Sequence, residues 1–151
     1  MTRVKAPERI ALYRSVSLTF FHMASSRSAL LPTDAVGVVA LATVAQTAAG
    51  GIVSKPLLDA GRTRVVLFTF DAGQELTEHA TPARALVQIL SGRSEWTLAG
   101  AKRELGAGEL LHLPPGTPHA VRALEPFTML LTLVQEPASG PRPPATGDGR
   151  E

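Results

Sequence analysis

Gly108-Glu-Leu-Leu-His-Leu-Pro114-Pro-Gly116-Thr-Pro-His119 is the stretch on which the reading of this 151-residue chain turns. Its pattern is Gly, five residues, Pro, one residue, Gly, two residues, His, and each member has a mechanical role. Gly108 permits a tight turn into a strand. Pro114 and Gly116 end that strand and build the next turn. His119 then enters the following strand at a fixed offset from both. An earlier stretch, Gly73-Gln-Glu-Leu-Thr-Glu-His79, has the related form Gly, five residues, His, and places His79 near a strand start upstream.

Outward from these two stretches the chain is a series of short, β-branched segments bounded by turn residues. The pattern predicts strands at Gly51–Leu58, Arg64–Phe70, Arg84–Leu90, Glu95–Leu98, Lys102–Leu105, Glu109–Leu113, His119–Ala123 and Phe127–Val134. Pro56 confines the first to a sheet edge. The gaps are too short for helical crossovers, so a parallel sheet is excluded. Regularly spaced short strands without a 3.6-residue period predict an all-β, antiparallel sandwich or barrel. In such a barrel the strands carrying His79 and His119 can face each other across the interior.

The barrel is expected to span 46–136. Before it, residues 1–45 read as an extension, disordered in part: a basic start, a short apolar patch from Leu18 to Phe21, then the apolar run from Ala35 to Ala45. That run has eleven residues, short of the roughly 20 that span a bilayer, and Pro32 and Asp34 break its continuity with the basic start, against a secretory leader. The reading is therefore a cytoplasmic protein that does not engage a membrane. After the barrel, residues 137–151 hold four prolines and three glycines without apolar periodicity, which reads as a flexible tail.

Composition narrows the chemistry. The absence of cysteine excludes a disulfide scaffold, a thiolate metal site and a thiol nucleophile. The net charge is +2. Residues 1–34 carry five basic side chains (Arg3, Lys5, Arg9, Arg14, Arg27) against two acidic ones (Glu8, Asp34), and the rest of the chain ten against eleven. The barrel therefore has no basic stripe, and nucleic acid is not expected as a partner. No serine-hydrolase elbow, dinucleotide fingerprint or phosphate loop occurs.

Gly108, Pro114, Gly116 and His119 together with His79 and Gly92 resemble the two motifs of the cupin superfamily of small β-barrels. TEHATP (Thr77–Pro82) and ALVQILSG (Ala85–Gly92) are similar to the SEHTAP and ALVQVLEG segments of small single-domain cupins. The resemblance runs from about Gly51 to Leu133 and implies an antiparallel jelly-roll β-barrel. It implies a divalent transition metal (Zn, Fe, Ni or Mn) held in the barrel by His79 and His119. Two further ligands of the family pattern are replaced: Thr81 stands where a second His is usual and Ala85 near the usual Glu. Glu78, Gln74 and Gln88 are the nearby candidates for a third ligand. Glu78 and Gln88 have the wrong strand parity relative to His79. Two histidines alone make a weak site; they also read as an interior pair bonded to each other or to water, or as a pocket pair that binds an organic acid or acts as acid/base. His112 faces away from Leu111 and Leu113 and reads as a surface residue, Trp96 as core packing, and His22 carries no motif.

Two functions follow. One is a small barrel binding a small molecule, a weakly held metal, or both, without catalysis. The other is a metal-dependent enzyme on a small substrate, of the dioxygenase, isomerase or decarboxylase type. The resemblance also implies a homodimer, with the apolar Val36–Ala45 stretch as a contact; that stretch reads equally as packing on its own barrel or as a short helix.

Overall fold

The computed structural model describes residues 28–137. The Leu18–Phe21 patch, His22 and all of the tail beyond Pro137 lie outside the described residues. Nine antiparallel strands form the body: β1 (Ile52–Ala60), β2 (Thr63–Phe70), β3 (Glu75–His79), β4 (Arg84–Ser91), β5 (Arg93–Leu98), β6 (Ala101–Gly106), β7 (Leu110–Leu113), β8 (His119–Ala123) and β9 (Phe127–Val134). They build a five-stranded sheet in the order β1-β2-β9-β4-β7 and a four-stranded sheet in the order β3-β8-β5-β6, a jelly roll as expected.

Eight of the nine strands coincide with the predicted segments to within a few residues. β3 was not among them, and His79 ends this strand where the sequence reading put it near a strand start. The segment Glu-Leu-Thr-Glu-His has one aliphatic residue and lies at a sheet edge with most of its side chains half-buried or exposed, so it shows no alternation to read.

The core lies between the sheets, and β9 shows its alternation most clearly. Along β9, Phe127, Met129, Leu131 and Leu133 are buried, and the residues between them are half-buried. Val66, Phe68 and Phe70 of β2 and Ala85, Val87 and Ile89 of β4 meet them from the same sheet. Trp96, Val121 and Ala123 come from the other. Phe70 stacks on Phe127 with ring centroids 4.4 Å apart.

β1 is an edge strand, as Pro56 requires, and a register shift falls between Pro56 and Leu58. The amides of Leu30 and Leu31 donate to the carbonyls of Pro56 and Leu57, closing part of that edge. The described chain then runs to a four-residue helix, α1 (Leu41–Val44). It is tied to the barrel where the Thr69 hydroxyl donates to the Gln46 carbonyl and the Gly50 amide donates to the Asp71 carboxylate. Asp71 also accepts from the Ala72 amide; these two bonds hold its carboxyl below the ordinary carboxylate value.

Candidate functional site

The strands β3 and β8 pair so that His79 and His119 stand opposite each other. Their register contains an irregularity that the sequence did not disclose. Leu76 pairs with Val121 and His79 with His119, so Thr77 and Glu78 together face the single Ala120. This β-bulge restores parity, and both Leu76 and His79 line the interior. The bulge does not bring Glu78 in: it is exposed and borders a groove on the outer side of the sheet with Glu75 and Arg122. Gln88 is exposed as its parity required.

Each histidine is held by the same local device. In Thr77-Glu78-His79 the ring Nδ1 lies 2.8 Å from the Thr77 carbonyl oxygen, and in Thr117-Pro118-His119 it lies 2.8 Å from the Thr117 carbonyl oxygen. A carbonyl only accepts, so Nδ1 carries the proton in both rings, and in the neutral form Nε2 carries the lone pair. The two turns are also bonded to each other. Gly116, with a φ of 77°, donates its amide to the Thr81 carbonyl at 2.8 Å. Thr117 folds back on Pro114 through its hydroxyl, also at 2.8 Å. The imidazoles end 4.3 Å apart, centroid to centroid, at an interplanar angle of 57°.

The pair forms one side of a cavity of about 230 Å³ inside the barrel. The remaining wall is apolar apart from Thr81, with Phe68 of β2, Val87 of β4, Trp96 of β5 and Met129 of β9 among its members, and no Asp, Glu, Lys or Arg lines it. Trp96 is read from sequence as packing, and at 2% exposed it is buried. It is also pocket wall: its ring is 6.4 Å from that of His119, and its indole N–H donates to Ser94 Oγ at 3.0 Å. Strand parity shows that such residues point inward but not which of them border a void. His119 is 7% exposed. Burial pushes its pKa below the ordinary histidine value; the bond to Thr117 opposes this, and the neighbouring His79 adds a smaller lowering. His112 is exposed and accepts a hydrogen bond from Arg84 at 2.7 Å on the outer face, as expected of a surface residue.

A family model described as a cupin domain matches residues 66–134. A conserved protein of unknown function from Streptococcus pyogenes is 30% identical and superimposes with a TM-score of 0.64, over 75% of this chain and 99% of its own. The chain belongs to the cupin family. A cupin superfamily protein from Desulfitobacterium hafniense shares the fold at 24% identity and a TM-score of 0.64, covering 74% of this chain and 100% of its own. A cupin 2 conserved barrel domain protein from Leptotrichia buccalis is 36% identical with a TM-score of 0.59, over 62% of this chain and 46% of its own. A search of the curated proteins finds no match.

Against the cupin pattern the cavity is informative for what replaces the missing ligands. Thr81 and Ala85, at the positions where the resemblance puts a second imidazole and a carboxylate, both line this cupin's cavity. Among the described residues no group of three or more His, Asp or Glu side chains is placed to hold a metal ion. A catalytic metal centre needs about three protein ligands, and the donor set at His79 and His119 does not fit one.

Proposed function

We propose that this cupin is a small-molecule-binding module whose ligand occupies the barrel interior beside His79 and His119. The observation that carries the proposal is a cavity of about 230 Å³ that borders both histidines and whose remaining wall, Thr81 and Ala85 included, supplies bulk and shape rather than charge. Concave, mostly apolar sites with a few convergent polar groups are what small ligands use. In this reading the two imidazoles orient the ligand through hydrogen bonds, and no reaction is required. Cytoplasmic residence belongs to the same reading and is supported by the cysteine-free sequence.

A weakly held divalent transition ion at His79 and His119 is the second reading, favoured by the shared tautomer, which puts a lone pair on each Nε2. The absent third ligand weighs against the metal-dependent enzyme that would follow from it. Elemental analysis of protein purified without a His tag or chelator separates the two. The expected result is far less than one metal per chain. A ratio near one that collapses in a His79→Ala/His119→Ala double variant overturns the proposal in favour of the enzyme.

We also infer a homodimer. Val36 and Val38 are 98% and 93% exposed on the arm before α1. Among the described residues, the backbone of 32–39 makes no hydrogen bond that would fix it to its own barrel. Both features suit a contact with a second copy.

A further inference from the structure

We infer that the cavity takes a compact, neutral, largely apolar molecule carrying one hydroxyl group, on the scale of a single-ring phenol, and that Nε2 of His119 accepts the hydrogen bond from that hydroxyl. The inference rests on the reading of the cavity as a ligand site and names the chemical class of its occupant.

Size sets the first bound. A dry cavity of roughly 150 Å³ holds benzene, so about 230 Å³ has room for one ring with a small substituent. The flanking rings of Phe68 and Trp96 suit an apolar, flat body.

Polarity sets the second. His119 commits its Nδ1 proton to Thr117, and no described residue hydrogen-bonds its Nε2. That nitrogen is an acceptor at the cavity wall. Of the other polar groups in or beside the wall, the Trp96 indole donates to Ser94, Thr81 Oγ1 accepts from the Ala83 amide at 3.2 Å, and His79, like His119, holds its Nδ1 against a backbone carbonyl. A hydrocarbon ligand would displace water from Nε2 and give nothing back. A carboxylate or an ammonium would enter an apolar wall that offers no Lys, Arg, Asp or Glu to compensate its charge. A neutral hydroxyl supplies a proton to the His119 acceptor and brings no charge.

Four probes of one shape test this: p-cresol, toluene, 4-methylbenzoate and 4-methylbenzylamine, titrated calorimetrically into the full chain at pH 8. p-Cresol is expected to bind about three- to tenfold more tightly than toluene, the worth of one net hydrogen bond, with both ions weaker than toluene. In His119→Leu the advantage of p-cresol disappears while toluene still binds. Equal binding of toluene and p-cresol, or tighter binding of either ion, overturns the hydroxyl assignment and leaves the ligand cavity standing. Failure of all four to bind at millimolar concentration removes the cavity reading itself. The wild-type series decides the matter without the variant, should His119→Leu not fold.

Discussion

His79 and His119 occupy equivalent positions in two Thr-x-His turns, each ring anchored by the carbonyl two residues before it. That repetition makes the pair a fixed element of the wall. It has a consequence for pH. Burial lowers the folded-state pKa of His119 below the ordinary value of 6.5. As pH falls below about 6.5 the unfolded chain takes up a proton that the folded chain refuses, so the unfolded state gains. The contribution of His119 to stability is therefore complete above pH 6.5 and is lost as pH falls from there through the lowered value. NMR titration of the ring is expected to give a midpoint under 6.5. The wild-type melting temperature is expected to drop more between pH 7.5 and pH 5 than that of His119→Phe. An equal drop in both would show that the ring is not desolvated. At this scale the sequence disclosed the pair, because the motif spacing fixes both positions, and it disclosed the loss of donors at Thr81 and Ala85. It did not disclose the tautomer, which depends on a turn bringing a ring back to a carbonyl, nor Trp96 as pocket wall.

At the scale of elements, the strands that alternate cleanly were legible and the one that does not was missed. Phe127–Val134 announces its buried face residue by residue. Glu75–His79 has little apolar content to alternate, and its bulge is a two-strand property, visible only against Ala120 of β8. The tight link between β4 and β5 shows the same limit. Gly92, which ends the ALVQILSG segment, has a φ of 74°. A Cβ placed there would lie 2.7 Å from the Phe127 Cβ and 2.8 Å from its Cα, and would overlap the Pro126 carbonyl oxygen. Gly100 has a φ of 87° and open space around the same position. Gly92→Ala is therefore expected to cost about 3 kcal/mol or more, combining strain with overlap against backbone, and Gly100→Ala about 1 kcal/mol from conformation alone. Urea unfolding of the two variants checks this; equal losses would mean that the β4–β5 link is not closely packed against β9.

For the whole molecule, two sheets enclose one core, and that core stops short of filling the barrel beside β3 and β8. The same incompleteness gives the protein its candidate function. Outside the barrel, the exposed valines of the arm bear on assembly. Light scattering coupled to size exclusion is expected to return twice the chain mass, shifting toward the monomer in Val36→Asp/Val38→Asp; a monomeric wild type would refute the dimer. The central claim, that the void beside the two histidines is a ligand site, is tested most directly by the amide and indole NMR spectrum of the full chain titrated with p-cresol. The account expects saturable shifts concentrated on the wall, at the Trp96 indole and at Leu113, Val121 and Met129. Saturable shifts confined to the outer faces of the sheets, or no saturable shifts at all, would contradict it.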